Sequence, residues 1–310
     1  MPERIKKIEL AKRFIAENIK IFRCPVCSEQ MLLKGNSLLC LNKHCFDLSR
    51  KGYLNLLMHS ISSKYDRQML NSRKIITQQG FFQAFIERIG DIIIREIKEK
   101  KTKTTVRILD AGCGEGSNLV SLLSYLSSKS NLKFIGIGLD ISREGIHIAS
   151  ISYPGNIWLV ADLANCPFND QQFDIIINIL SPANYAEFKR ILKDSGLFIK
   201  VLPGSNYLQE IRKIFYTKKE KREYSNEGVI ALLERNFNII SKDHLMYKKD
   251  IDQDNQITLL EMTPLSWNIN KQDIKQKQHL EMKQITVDLT IIAAKKQLKN
   301  NYGYGLRKKR

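Results

Sequence analysis

The chain has 310 residues, 43% of them apolar, enough for one large or two modest domains with a sizeable core. Its formal charge is +18, from 50 basic against 32 acidic side chains, an excess that favours a polyanionic partner. No apolar run approaches the roughly 18 residues that span a bilayer, and no uninterrupted apolar stretch opens the chain as in a secretory signal, so the cytoplasm is the expected location. The charge has a competing reading, since Lys and Asn are common throughout and composition bias alone would give a solvated Lys-rich surface. Its densest clusters are Lys218-Lys-Glu-Lys-Arg222, Lys295-Lys296 and a tail, Arg307-Lys-Lys-Arg310, that reads as disordered.

In chain order, Ile5, Ile8, Ala11, Ile15 and Ile19 mark an amphipathic N-terminal helix, whose Glu3, Glu9 and Glu17 argue against a mitochondrial transit peptide. Four of the six cysteines then cluster between positions 24 and 45, while Cys113 and Cys166 lie alone. Clustered cysteines in a cytosolic chain are more often metal ligands than disulfides. The spacing is C-x2-C-x12-C-x3-H over Cys24, Cys27, Cys40 and His44, a set suited to tetrahedral zinc. Cys45 adjoins His44, and either could be the fourth ligand. Gly35-Asn36, between the two pairs, reads as a hairpin turn. Such a small ribbon takes its folding energy from the metal.

The polar stretch 59–71 reads as a linker or the start of a long helix. Residues 81–100 then carry Phe82, Phe85, Ile89, Ile93 and Ile97 at helical spacing, a helix expected to pack on one face of a sheet.

Thr105-Val-Arg-Ile-Leu109 is a short β-prone run, and Asp110-Ala-Gly112-Cys-Gly114-Glu115-Gly116 follows it directly. The glycines sit on a strand-to-helix turn, where backbone N–H groups can come close to a ligand. A dinucleotide fingerprint reads G-x-G-x-x-G, with its acid after the next strand. Here the acid leads and the third glycine comes one residue early, which suits the aminoacyl end of S-adenosylmethionine better than a pyrophosphate. The next strand, residues 134–139, ends in Asp140, placed to take both ribose hydroxyls. A third, residues 157–161, ends in Asp162, which could accept a bond from an adenine amino group. A fourth, residues 173–180, is apolar enough for burial on both faces of a parallel sheet. The expected fold is α/β: a class I, Rossmann-like, seven-stranded methyltransferase domain with a small N-terminal zinc ribbon. The expected limits are a helical extension (1–20), the ribbon (21–57), linker and helices (58–100), the methyltransferase domain (101–295) and a basic tail (296–310).

The order of these parts resembles the large-subunit ribosomal RNA guanine-N1 methyltransferases of the RlmA family. The matching residues are Cys24-Pro-Val-Cys27, Phe46-Asp47, Gly52-Tyr53-Leu54-Asn55-Leu56-Leu57, the loop 110–116, Cys166-Pro167-Phe168, Pro203-Gly204 and Met262-Thr-Pro264 with Trp267. The resemblance covers about residues 22–295. It implies zinc held by Cys24, Cys27, Cys40 and His44. It also implies S-adenosylmethionine contacts at Gly114 and Glu115, at an aromatic before the core, here Phe82, and after the Pro-Gly turn, here Tyr207. The family members compared have tyrosine and histidine at those two places. The implied substrate is N1 of a guanine in a hairpin of 23S ribosomal RNA, with two subunits straddling one RNA, although the N-terminal helix could equally cover its own core.

Guanine N1 carries a proton at neutral pH, so a base or a polarised O6 should help transfer, and the target base must be looped out or flipped. Methylases of exocyclic amino groups often carry N-P-P-Y after the fourth strand, whereas this chain has Ser181-Pro-Ala-Asn184, in which Ser181 and Asn184 could touch a base edge or form a plain turn. No residue stands out as the general base: His59, His147, His244 and His279 have no motif around them. Arg23, Lys34, Lys43, Arg50 and Lys51 are candidate phosphate contacts on the ribbon. Two other readings are a small-molecule methyltransferase with an auxiliary ribbon and a closed apolar pocket over residues 205–285, and a non-catalytic RNA-binding protein, which the intact loop argues against.

Overall fold

A computed structural model of the protein describes residues 5–59, 61, 65–98, 105–215, 225–266 and 282–297. The basic clusters at 218–222 and 307–310, and Trp267 and His279, lie outside these residues.

The N-terminal helix, α1 (Lys7–Glu17), buries Ala11 and Ile15 and leaves Ile5 exposed. It packs on its own chain, where the Lys7 ammonium donates to the Ile151 carbonyl at 2.7 Å. A three-stranded antiparallel ribbon follows: β1 (Met31–Lys34), β2 (Ser37–Cys40) and β3 (Cys45–Asp47). Lys34 pairs with Ser37, so Gly35-Asn36 is a two-residue hairpin turn. Gly35 has φ 59° and Asn36 a negative φ, as in II′ turns that match strand twist.

Leu54–Asn55 (β4), grouped with the ribbon in the sequence, instead runs parallel to a strand of the large sheet, at its edge. Two helices come next. Asp66 caps α2 (Arg67–Gln78) by accepting the Met69 N–H at 2.8 Å. The expected helix at 81–100 is α3 (Gln83–Lys98), which buries Phe85, Ile86, Ile89 and Ile93 along one face.

The remaining elements alternate: β5 (Thr105–Ala111), α4 (Ser117–Lys129), β6 (Lys133–Asp140), α5 (Arg143–Ser152), β7 (Ile157–Val160), β8 (Phe173–Ile179), α6 (Tyr185–Ile191) and β9 (Leu192–Pro203). They close with α7 (Gln209–Phe215), α8 (Glu227–Asn236), β10 (Phe237–Asp250), α9 (Gln253–Glu261) and β11 (Gln284–Lys296). The large sheet has the order β10-β11-β9-β8-β5-β6-β7-β4. Strands β5 to β9 and β4 are parallel, while β11 runs antiparallel to both β9 and β10. Without β4, this is the expected seven-stranded class I order.

Strand β8 is buried at every position, as its apolar run requires. One face of the sheet packs on α2, α3 and α4, and the other on α1, the ribbon and α6. On that second face Phe198 is fully buried, with its ring centroid 4.9 Å from Phe237, 5.5 Å from Phe188 and 6.1 Å from Tyr185. Phe198→Ala should cost about 3–5 kcal/mol in urea unfolding. A loss below about 1 kcal/mol would mean that this face collapses around the deletion and is not close-packed.

Candidate cofactor and metal sites

The ribbon brings four donors together. The Sγ atoms of Cys24, Cys27 and Cys40 and a ring nitrogen of His44 all lie within 4.8 Å of one another. Cys27 Sγ is 3.7 Å from Cys40 Sγ, and His44 Nδ1 is 3.3 Å from Cys40 Sγ and 3.5 Å from Cys24 Sγ. Metal bonds of about 2.0–2.3 Å in a tetrahedron give edges of about 3.5–3.8 Å, close to these three separations, so the donor set fits zinc. Left-handed turns at Ser28 (φ 64°) and Lys43 (φ 63°) wrap the two knuckles. Backbone hydrogen bonding at Glu29 lowers the Cys27 thiol while burial raises that of Cys24, so of the two Cys27 gives up its proton first. Cys45 stands outside the cluster, exposed, with its thiol toward the Asp47 carboxylate. Of the candidate phosphate contacts, Lys34, Lys43, Arg50 and Lys51 are exposed. Arg23 is partly buried and faces Glu187 at 3.9 Å, so it braces the ribbon against the core.

The parallel strands end along one edge, and their loops form the second site there. In 110–116, all three glycines are left-handed, with φ 85° at Gly112, 56° at Gly114 and 85° at Gly116. A Cβ on Gly112 would sit 2.0 Å from Ser181 Oγ, so the loop lies directly against the turn after β8. Asp110 is 1% exposed, and its Oδ1 has no hydrogen-bond partner among the described residues. Glu115 accepts from the Ser117 hydroxyl at 2.5 Å and the Ser117 N–H at 3.1 Å. Asp140 accepts from the Gly114 and Ser142 N–H groups, both at 2.8 Å.

Burial, then the neighbouring Asp140 and Glu115 charges, push the Asp110 carboxyl well above its usual range. Burial also raises Glu115 and Asp140, against the pull of Arg73. Three carboxyls largely withdrawn from water, offset by Arg73 and Lys74, and an orphaned oxygen favour a ligand that brings positive charge and N–H donors. The aminoacyl end and sulfonium of S-adenosylmethionine supply both.

Asp162 sits apart from these three. Its Oδ1 accepts the Ala164 N–H at 2.8 Å, which leaves it at the end of β7 in a local turn. Phe82 and Tyr207 line a cavity of about 630 Å³ that reaches from α2 and α3 to the ends of β8 and β9. Ser181 lines it too, but Asn184 does not: its side chain caps α6 by accepting the Glu187 N–H at 3.1 Å. No histidine among the described residues lines the cavity. His147 lies edge-on to Tyr53, and His244 bonds Asp288 at 2.7 Å.

Two charged cavity residues had no place in the sequence pattern. Arg73 of α2 lines the cavity, comes within 3.7 Å of where a Gly114 Cβ would be, and donates to the Met262 carbonyl at 3.3 Å. Its signal was a polar pair, Ser72-Arg73, inside an apolar stripe of Met69, Leu70 and Ile76. Lys200 of β9 also lines the cavity, 2% exposed, and donates to Asn178 Oδ1 and the Ser181 carbonyl. It was visible as one charge in the run Leu197-Phe-Ile-Lys-Val-Leu202.

Residues 22–60 match the RlmA N-terminal zinc-ribbon family, and residues 108–196 match a methyltransferase domain. YxjB of Bacillus subtilis, named a candidate 23S rRNA (guanine-N(1)-)-methyltransferase, is 38% identical over 282 residues, covering 90% of this chain and 98% of its own. The chain belongs to the RlmA family. A Streptomyces fradiae relative, named a 23S rRNA (guanine(748)-N(1))-methyltransferase, is 24% identical over 84% of this chain and 90% of its own. The RlmA-family chain is thus an S-adenosylmethionine-dependent methyltransferase with a zinc ribbon. Purified protein should carry one zinc per chain. Cys45→Ser should keep the metal, while His44→Ala and Cys24→Ser should lose it by elemental analysis. Zinc retained in His44→Ala but lost in Cys45→Ser would make Cys45 the ligand.

Proposed function

We propose that this protein transfers the methyl group of S-adenosylmethionine to N1 of a guanine in a hairpin of 23S ribosomal RNA. The observation that carries the chemistry is the 630 Å³ cavity at the strand ends, walled on one side by the cofactor-side residues Arg73, Phe82 and Tyr207 and on the other by the turn after β8. Its mouth carries the exposed apolar side chains Leu180, Val229 and Leu232, an entry suited to the face of a flipped base. Near-full-length likeness to relatives named for this reaction supports the substrate.

The cofactor supplies an electrophilic methyl group. Asp110 would take its amino group, Gly114 and Glu115 its aminoacyl end, Asp140 the ribose hydroxyls and Asp162 the adenine amino group. Arg73 would meet its carboxylate, and Phe82 and Tyr207 would cover the reacting end. Leu180 is left-handed (φ 50°) where β8 ends, a strained turn that presents Ser181 to the same cavity. The protein's contribution is mainly to hold donor and acceptor in line and exclude water.

Cys24, Cys27, Cys40 and His44 hold the zinc in this reading, and the ribbon (residues 21–57, with Leu54–Asn55 lent to the large sheet), the helices before the core and the methyltransferase domain act as one enzyme. Lys34, Lys43, Arg50 and Lys51 contact RNA phosphates. The expected assembly is a homodimer on one hairpin, checked by sedimentation with and without RNA. The cytoplasm is the expected location; no described helix is long and apolar enough to cross a membrane. A small-molecule enzyme would close its pocket over residues 205–285; here that segment supplies one wall, from Tyr207 to Leu265, and the turn after β8 supplies another.

Label from S-adenosylmethionine should appear on guanine N1 of one hairpin in unmethylated bacterial 23S RNA, located by digestion and mass spectrometry. Absence of label on RNA, with cofactor bound, would overturn the substrate. Arg73→Met should weaken cofactor binding by about 10–100-fold in calorimetry, the loss of a charge-assisted contact; unchanged affinity would remove Arg73 from the site. Lys43→Glu with Arg50→Glu should weaken RNA binding and flatten its salt dependence. Unchanged affinity at two salt concentrations would remove the ribbon from the RNA site.

A further inference from the structure

Resting on the guanine-N1 reading, we propose that Lys200, as its neutral amine, is the base that takes the N1 proton of the target guanine. The first support is position. Lys200 and Asn178 are paired in register on β9 and β8, and the ammonium is held by Asn178 Oδ1 and the Ser181 carbonyl. Both partners belong to the end of β8, and Ser181 touches the cofactor loop at Gly112. Lys200 therefore lines the cavity beside the turn that faces the methyl donor.

The second support is elimination. Among the described residues, the cavity wall contains no Asp, Glu or His. Its other titratable side chains are Arg73 of α2, Arg212 of α7 and the tyrosines Tyr65, Tyr185 and Tyr207. An arginine does not deprotonate in proteins. Burial pushes Tyr207 up to about 12 and raises Tyr185. Burial acts oppositely on an amine and lowers Lys200 to about 8. A base poised near working pH is the efficient kind.

The step conserves charge. The N1 proton passes to the Nζ lone pair, and the electron pair left on N1 forms the bond to the methyl carbon. The carbon–sulfur bond breaks with its electrons kept on sulfur. The positive charge of the sulfonium thus becomes the ammonium charge of Lys200, which returns its proton to water after product release. A buried cavity favours such a step, because no new net charge is created in low dielectric. Cofactor binding also places a like charge near Lys200 and so favours its neutral form beforehand.

The test uses the full zinc-loaded chain. Lys200→Met keeps the aliphatic stem, and Lys200→Arg keeps the donor but cannot give up its proton. Both should bind S-adenosylmethionine and 23S RNA within about threefold of wild type, yet lose about 100-fold or more in single-turnover methylation, the usual worth of a general base. The wild-type rate should rise with pH through about 8 and then level, because the neutral amine is the active form, and both variants should lack that limb. Full activity in Lys200→Arg would reduce Lys200 to a structural donor and sink the proposal. A second measurement needs neither variant nor turnover. In protein carrying 13C-labelled lysine, the Lys200 Cε resonance should titrate with a midpoint near 8. A Lys200 that stays charged up to about pH 10 overturns the proposal whatever the variants do. A wild-type enzyme that methylates RNA at another atom would overturn the guanine-N1 reading instead, whereas N1 methylation with active variants overturns only the role of Lys200.

Discussion

One side-chain amide holds the reaction centre together. Asn178 is fully buried at the end of β8 and makes a bond in each direction. Its Nδ2 donates to the Ala111 carbonyl at 2.6 Å and the Pro182 carbonyl at 3.0 Å, and its Oδ1 accepts from Lys200. Ala111 leads into the cofactor loop, Pro182 lies in the turn facing the acceptor, and Lys200 belongs to β9. The sheet order places β5, β8 and β9 side by side, which lets one amide reach all three. Leaving any of these buried groups unpaired would cost about 1–3 kcal/mol, so the arrangement is strongly specified. Gly112 adds a steric tie, because nothing larger fits against Ser181. The donor and acceptor halves therefore cannot drift independently, which is what an in-line displacement requires.

The charge of the molecule is divided by depth. The surface carries most of the +18, as befits a polyanionic substrate. The cofactor loop gathers Asp110, Glu115 and Asp140 below that surface, each with its carboxyl raised by burial. Among the described cavity-lining cations, Arg73 alone acts on all of Glu115, Asp140 and Tyr207. A cationic cofactor with amino and hydroxyl donors completes this set, where an anionic pyrophosphate would meet repulsion. The same loop geometry that elsewhere cradles phosphates is turned toward a different ligand by its acids.

Legibility in the sequence followed the range of the forces involved. The glycine loop was readable because left-handed φ at three positions and a leading acid are local demands. Strands β5 to β8 were readable because burial on both faces gives continuous apolar runs ending in acids or polar turns. The Cys24–His44 spacing was readable because knuckles are local too. Leu54–Asn55 was not: two residues carry no period, and only a distant partner, Leu159–Val160, makes them a strand. Arg73 was missed because its meaning depends on α2 folding back over residue 114. Arg23 looked like a phosphate contact until Glu187, far along the chain, appeared beside it. Asn184 could not be told from a base contact without the helix it caps.

Besides the pairing of Leu54–Asn55 with β7, the ribbon is joined to the catalytic domain at the loop 165–169. The Arg23 N–H donates to the Pro167 carbonyl at 3.1 Å, and Phe22 packs on Phe168 with ring centroids 6.0 Å apart. Asn165 donates to the Pro25 carbonyl at 2.8 Å, and Asn169 reaches the carbonyls of Lys20 and Phe22. Arg190 fixes the far side of this loop through the Cys166 and Phe168 carbonyls and Glu187. The loop runs directly on from Asp162, at the end of β7. A ribbon too small to hold itself together depends on its metal for folding energy. Through residues 165–169 that metal-dependent fold is tied by hydrogen bonds to the loop that follows β7.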